Sequence, residues 1–366
     1  MNEEVGLKHV TLPIISILMI FGNGVLIVVT LRNKNLRTVT NFLVASLALC
    51  DLLMGCLVIP LLVLAEEGLL GHSPKVCLAV FCLTISNLLV SCLMLMAIAV
   101  ERFVAIVCPL RHHALSTTRN AAMVIAFCWT YSIVVGCLPL AGWNVATSAH
   151  ATSVSDPGTV TSEGSSKNST SGLHRGNESE DECRYHTVIG GSFAAFMYPG
   201  HFVPLWALML VLYGQIYMRS RGYIGLAVQR NVRRWSTSMA QKNSPHSSRG
   251  GKSQRAKENW RAMRILAVLV GYFVLSWLPV VIWYGTLYRG FTVEDARHIE
   301  PILPYWFYNM GVTLAYGNSA VNPILYGFGN RSIRKSLLRS LCGSLRTGAS
   351  IPAAPAAETA RNRLRD

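Results

Sequence analysis

Asp51 is the one acid deep inside a long apolar stretch of this 366-residue chain. A carboxylate at such a depth is costly and by default marks a functional site. Other polar side chains recur inside apolar stretches. Asn87 and Ser91 are four residues apart and share a helix face. Asn318, Ser319 and Asn322 form a further set. Gathered around Asp51, these amides and hydroxyls would offer oxygens to a small cation. The alternative is a self-satisfied polar network with Asp51 protonated. A second constellation is Glu101-Arg102-Phe103, which sets a carboxylate and a guanidinium side by side at the end of an apolar run. Enzyme chemistry finds no comparable set. There is no metal-ligand spacing, no Ser/His/Asp combination and no phosphate-binding loop. The adjacent His112 and His113 point to different faces of a helix and read as a solvated pair.

These groups need elements to hold them, and the composition says which kind. Apolar residues make up 51% of the chain and charged residues only 14%. The mean hydropathy is +0.37. An ordinary soluble domain carries about 25% charged residues, so a soluble enzyme or a disordered chain does not fit. Seven apolar blocks stand out, at about 10–31, 39–64, 75–107, 121–142, 187–218, 260–288 and 302–328. Each exceeds the roughly 20 residues a helix needs to cross a hydrocarbon core. Pro60, Pro139, Pro204, Pro279 and Pro323 fall within them, which membrane bundles tolerate. The fold class expected is an all-α membrane protein, a bundle of seven transmembrane helices spanning 10–328.

Charge sets the orientation. The net charge is +15. With residues 1–9 outside, 26 of the 33 basic residues fall on inner segments, and 13 of the 18 acids fall on outer ones. That bias predicts an extracellular N-terminus and a cytoplasmic C-terminus in the plasma membrane. It accounts for the basic pI without nucleic acid and points to anionic membrane lipids as neighbours. The outer loop, about 143–186, carries the sequons Asn168-Ser-Thr and Asn177-Glu-Ser, expected to be glycosylated. The inner loop, about 220–259, is polar and basic.

Cys77 and Cys183 both fall on the outer side, where a disulfide between them is the natural pairing. Two independent thiols are the other reading. Arg102 follows Cys77 by about 37 Å of helix, so one end can hold the bridge while the other presents the guanidinium to the cytoplasm. After the last block, residues 329–342 read as a short amphipathic eighth helix, with Ile333, Leu337, Leu338 and Leu341 on one face. Cys342 at its end suits palmitoylation, although an unmodified thiol fits as well. Residues 343–366 form a tail.

Taken in order, the motifs resemble those of rhodopsin-like G-protein-coupled receptors. They are Gly22-Asn23-Gly24-Val25, Leu47-Ala48-Leu49-Cys50-Asp51, Cys77, Glu101-Arg102-Phe103, Trp129, Phe273-Val274-Leu275-Ser276-Trp277-Leu278-Pro279 and Asn322-Pro323-Ile324-Leu325-Tyr326. The resemblance implies a receptor for an extracellular ligand that activates a cytoplasmic heterotrimeric G protein. Arrestin and receptor kinases are further implied partners. It makes Glu101, Arg102, Phe273, Trp277, Asn322, Pro323 and Tyr326 activation switches, with Trp277 beneath the ligand. It implies no cofactor beyond a sodium ion acting allosterically at Asp51, Asn87, Ser91, Asn318 and Ser319. Arg102, Pro109 and Leu110 would meet the G protein. In three places the chain departs from the family pattern. Glu101 and Phe103 replace the commoner Asp and Tyr. Asn259 stands where an inner acid often pairs Arg102, with Glu258 one residue earlier. Tyr213 follows Pro204 by nine residues rather than eight.

Within that family the scaffold is most similar to adenosine receptors. The stretches that carry this are Thr40-Asn41-Phe42-Leu43-Val44-Ala45-Ser46-Leu47-Ala48 and Leu138-Pro139-Leu140-Ala141-Gly142-Trp143-Asn144. Signalling through adenylate cyclase is then implied. The ligand-reading positions have diverged. Tyr185 and His186 replace the loop Phe and Glu, Tyr284 the purine-reading Asn, Val281 a His, and Tyr316 the ribose-contacting His. Thr84 stands where amine receptors keep an Asp. The expected pocket of Thr84, Leu88, Tyr185, His186, Trp277, Val281, Tyr284 and Tyr316 is aromatic, neutral and suited to a small, largely uncharged ligand. A receptor for a non-purine ligand is the alternative. A transporter is a further one, although no internal repeat supports it.

Overall fold

The computed structural model describes residues 2–71, 73–145, 183–219, 250–290, 301–329 and Arg334. It describes no side chains for 2–9, 35, 113, 250–266 and 327–329. The sequons at Asn168 and Asn177, most of the basic inner loop and Cys342 lie outside the described residues.

Seven long helices follow one another: α1 (Asn2–Arg32), α2 (Val39–Glu66), α3 (Pro74–Val107), α4 (Thr118–Gly136), α5 (Gly191–Arg219), α6 (Gly250–Leu287) and α7 (Tyr305–Gly329). No strand occurs among the described residues. Stretches of α1 through α6 are long and apolar enough to cross a membrane. The composition of α7 is diluted by Asn309, Asn318, Ser319, Asn322 and its tyrosines. Below, the end of the bundle that carries Cys77 is called outer and the opposite end inner.

Local sequence sets the helix starts. Thr38 and Thr117 cap α2 and α4 by accepting from the N–H groups of Asn41 and Asn120. Pro74 stands in the first turn of α3, where its missing N–H costs nothing. Two helices carry a single π turn, at Met54–Val58 in α2 and Tyr198–Phe202 in α5. Such turns re-aim the side chains that follow and are common at functional sites. Pro139 lies beyond the end of α4, in a run of turns, rather than inside the helix. The expected block 187–218 is broken at Ile189–Gly190. A separate helical turn, Tyr185–Val188, precedes α5.

Burial identifies the central element. In its most apolar window α3 is 78% buried, against 33% for α1 and 28% for α4. The outward faces of the peripheral helices are apolar: Ile17, Phe21, Phe127 and Leu275 are each more than 60% exposed. A bilayer accepts such a surface, whereas water would drive it to associate. Lipid tails are as apolar as leucine, so close packing and interhelical hydrogen bonds hold the bundle. A Cβ on Gly136 would sit 2.8 Å from the backbone of Ser86, so only glycine allows α4 to approach α3 this closely. Asn23 of α1 donates to the carbonyl of Ser319 in α7. Ser16 donates to the Gly55 carbonyl in the π turn of α2 at 2.6 Å. Trp129 of α4 donates to Ser46 of α2 at 3.0 Å.

Candidate functional site

Cys77, at the start of α3, is joined to Cys183 by a disulfide with a Cα–Cα distance of 5.6 Å. The bridge draws residues 183–190 over the mouth of the bundle. Arg184 donates to the hydroxyl of Tyr305 in α7 at 3.0 Å, and its guanidinium lies over the same ring. On the far side Tyr288, just beyond the end of α6, donates to the Ile189 carbonyl at 2.6 Å. The loop is therefore held to α3, α6 and α7.

Beneath it the expected pocket residues come together as a packed aromatic cluster. Tyr185 reaches from the loop to Tyr284 of α6, with ring centroids 4.5 Å apart, and meets Phe81 of α3 edge-on at 5.5 Å. Burial, with Tyr288 nearby, pushes the Tyr185 phenol well above its ordinary range. That hydroxyl stays neutral at any physiological pH. Thr84, Leu88, Trp277, Tyr284 and Tyr316 are all buried, while Val281 and His186 are half-buried. The Thr84 hydroxyl donates to the Val80 carbonyl of its own helix. His186 leans against Trp283. Sequence reasoning missed Tyr198, Trp283 and Tyr308. Tyr198 stacks on Tyr284 at 5.4 Å, Trp283 meets Tyr308 at 4.5 Å, and the hydroxyls of Tyr284 and Tyr308 lie 3.2 Å apart. The π turn in α5 begins at Tyr198. A π turn is not visible in apolar periodicity, and periodicity was the signal available.

Aromatic contacts continue downward without a break. Tyr198 meets Phe202, Phe202 meets Trp206, Trp206 meets Phe273 edge-on, and Phe273 meets Trp277, each pair within about 6.5 Å. Trp277 also meets Tyr316 edge-on. Below Trp277 lies a small cavity bounded by Leu88, Trp277, Tyr316, Phe273, Asn87, Ser91, Asn318, Ser319, Met54 and Ala315. It has room for the centre of roughly one small ion or water.

Asp51 sits at this level, completely buried. Its Oδ2 accepts from Asn322 at 2.7 Å, and Ser91 and Ser319 lie against the carboxyl. Its Oδ1 has no protein donor, and the same holds for Oδ1 of Asn318 and of Asn322. Oxygens of this kind suit a hard monovalent cation, and buried acceptors left without donors are what such an ion satisfies. The residues therefore fit the sodium site that the motifs imply. One detail is new. The Cys50 thiol donates toward Asn87 Oδ1 at 3.2 Å and lies 3.2 Å from the Ser91 hydroxyl. Both expected ligands are thus turned toward Cys50.

At the inner end, Arg102 donates from Nε to Glu101 Oε2 at 2.5 Å and from a terminal nitrogen to the Thr40 hydroxyl of α2. Tyr326 of α7 is buried, and its hydroxyl has no protein partner. Tyr213 of α5 is buried within electrostatic reach of Arg102, Glu101 and Tyr326, so its altered spacing from Pro204 does not remove it from the cluster. Pro323 packs against Gly22 of α1. The side chains of Glu258 and Asn259 lie outside the described residues. One sequence reading is corrected. His112 is not simply solvated, because its Nε2 lies 3.3 Å from Glu101 Oε1. It reaches there from a short inner helix, Pro109–Leu115, which also presents Pro109 and a 95% exposed Leu110. No cluster of metal-ligating His, Cys, Asp or Glu exists among the described residues.

Comparison with known proteins agrees with this arrangement. The 7 transmembrane receptor (rhodopsin family) profile matches residues 22–326. The adenosine receptor A2a of Homo sapiens is 30% identical over 322 residues, covering 88% of this chain and 69% of the relative. The A2a receptor of Equus caballus is 30% identical over 320 residues, with 87% and 68% covered. The adenosine receptor A2b of Rattus norvegicus is 28% identical over 331 residues, 89% of this chain and 87% of the relative.

Proposed function

The chain belongs to the rhodopsin family of seven-transmembrane receptors, and on that basis we propose that it binds a small, largely uncharged extracellular ligand and activates a cytoplasmic heterotrimeric G protein. The single observation that carries this reading is the unbroken run of aromatic contacts from Tyr185 and Tyr284 beneath the loop to Trp277, above the cavity lined by Asn87, Ser91, Asn318 and Ser319. A ligand that moves Tyr284 or Tyr198 must move their neighbours, because a close-packed interior does not deform continuously. The displacement ends at a polar cluster that links α2, α3 and α7. The N-terminus is extracellular in this reading, in the plasma membrane. Asp51, Asn318 and Ser319, with Ser91 and Asn87, would hold a sodium ion. Bound there, the ion supplies positive charge to a buried carboxylate and stabilises whichever conformation holds it better.

The ligand class follows from the cluster. Among the described residues no fully buried acid stands in the cluster to pair an ammonium; half-buried Glu66 of α2 is the acid within electrostatic reach of Tyr316. The relatives are adenosine receptors, so a purine nucleoside is the natural first candidate, with signalling through adenylate cyclase. Purine recognition needs side-chain groups that donate and accept at the base edge. Tyr284 offers one hydroxyl, already 3.2 Å from that of Tyr308. Adenosine is therefore at best a weak agonist, and a flat neutral ligand that stacks on Tyr185, Tyr198 and Tyr284 is favoured. The test is a second-messenger assay with a ligand panel that includes nucleosides, run beside cells carrying empty vector. A ligand-dependent change in cyclic AMP supports the reading. Solute flux with no second-messenger response would favour a transporter.

A further inference from the structure

We propose that Cys50 sets the sodium requirement of the Asp51 site, because its thiol competes with a bound cation for the side-chain oxygens that α3 offers. The inference rests on the sodium reading above and deepens it.

Cys50 and Asp51 are adjacent on α2, so their side chains leave the helix about 100° apart. Asp51 turns to α7 and accepts from Asn322. Cys50, completely buried, turns to α3 and meets both residues that α3 brings to the site. Asn87 donates from Nδ2 to the Cys50 carbonyl at 3.2 Å. A carbonyl can only accept, so this bond fixes which end of the amide faces which partner. Oδ1 is left facing the Cys50 sulfur at 3.2 Å, and the main-chain carbonyl of Asn87 lies 3.1 Å from the same sulfur. The Ser91 hydroxyl lies 3.2 Å from that sulfur and also against the Asp51 carboxyl. Asn87, Ser91 and Asn318 all line the cavity below Trp277.

The two sides of the site therefore differ. On α2 and α7, Oδ1 of Asp51, Asn318 and Asn322 are buried with no protein donor. On α3, the side-chain oxygens of Asn87 and Ser91 are engaged by Cys50. A cation meets the first group without displacing a protein hydrogen bond. It reaches Asn87 Oδ1 only by displacing the thiol. The thiol is no substitute ligand, since a hard cation prefers oxygen to a neutral sulfur. With alanine in place of Cys50, Asn87 Oδ1 becomes a further buried acceptor without a donor, a defect that a cation relieves. The thiol thus weakens sodium binding in the native chain, and its removal strengthens it.

The test uses the full purified chain in lipid nanodiscs, without ligand. Thermal unfolding is followed as sodium chloride replaces N-methylglucamine chloride at constant ionic strength, because an ion that binds the folded state raises the melting temperature. Cys50→Ala reaches its half-maximal rise at about threefold less sodium than wild type, the lower part of the range for one hydrogen bond, as suits a weak thiol donor. Asn87→Ala raises the sodium requirement more in the Cys50→Ala background than in wild type, the non-additivity of residues in contact. A rise that Asp51→Asn abolishes and Cys50→Ala leaves unchanged would overturn this proposal alone. No rise with sodium in either wild type or Cys50→Ala would overturn the sodium reading and the proposal with it. Infrared absorption adds a readout of the thiol itself. The S–H stretch lost in Cys50→Ala belongs to Cys50, and it moves to higher frequency in Asn87→Ala as the thiol loses its acceptor. An unmoved band would overturn the thiol–amide bond, whatever sodium does.

Discussion

Asn322 of α7 donates from Nδ2 to Oδ2 of Asp51 in α2 at 2.7 Å, joining two helices across 271 positions of sequence. The bond engages one carboxylate oxygen and leaves Oδ1 without a protein donor. Asp51 is thus tied into the bundle through one oxygen, with Ser91 and Ser319 against its carboxyl. A group that is only partly satisfied can respond to what binds beside it. A fully paired one holds its place.

Sodium should accordingly disfavour agonist. Agonist affinity is expected to fall several-fold as sodium replaces a larger cation at constant ionic strength, within the 1–3 kcal/mol or so typical of allosteric coupling. Asp51→Asn should abolish that dependence, and Asn318→Ala should weaken it. Equilibrium radioligand binding in sodium and in N-methylglucamine buffers measures both. An unchanged sodium response in Asp51→Asn would count against the assignment.

The outer disulfide closes a loop of 106 residues. Cross-links over loops of this size are worth roughly 4–5 kcal/mol in the chain-entropy model. This one also holds Tyr185 over the pocket. Cys77→Ala and Cys183→Ala should each lower surface expression and ligand response, and the double mutant should be no worse than either single. Cell-surface labelling beside a concentration–response curve provides the check. Additive losses would mean that the two residues act separately.

Leu110 is 95% exposed beside the inner end of α3. A side chain so exposed contributes almost nothing to folding, so its truncation reports on a partner. Leu110→Ala should slow nucleotide exchange about tenfold, the scale of an apolar anchor at an interface. Ligand affinity without G protein should stay within twofold of wild type, a change of less than about 0.5 kcal/mol. Loss of both together would indicate misfolding.

How much of this could be read beforehand depended on the distance over which each signal acts. The helices were legible because about 20 apolar residues in a row have few other uses. Asp51 and Arg102 were legible because charges there are rare. Asn87 and Ser91 were placed correctly on one face of α3, but their bonds to Cys50 were not foreseen, since periodicity gives a face and not the neighbour across it. Tyr198 came into the pocket through a π turn, which shifts register by one residue and leaves no mark in the apolar pattern. His112 looked solvated because its partner, Glu101, is eleven residues away, on the helix against which its own short helix packs.

Tyr284 decides how far the adenosine receptors predict the ligand. Its ring stacks on Tyr198 and its hydroxyl faces Tyr308. Adenosine should bind the unmodified protein weakly. Tyr284→Asn should gain at least about fivefold in affinity, since an amide that pairs a base edge is worth about 1–3 kcal/mol. Saturation binding of a labelled nucleoside to membranes tests this, with Tyr284→Leu as the control for lost ring contacts. Tight binding by the unmodified protein would mean that Tyr284 does not govern purine recognition here.

The central claim is that this bundle couples an outer site to a guanine-nucleotide-binding partner through Arg102. The most direct measurement is catalysed nucleotide exchange by purified receptor in nanodiscs across a panel of heterotrimers, comparing wild type with Arg102→Ala. The prediction is that wild type accelerates exchange on at least one heterotrimer, more so with an activating ligand, and that Arg102→Ala loses the acceleration while keeping the fold by thermal melting. A wild-type protein that is well folded, binds ligand and accelerates exchange on none of them would contradict it.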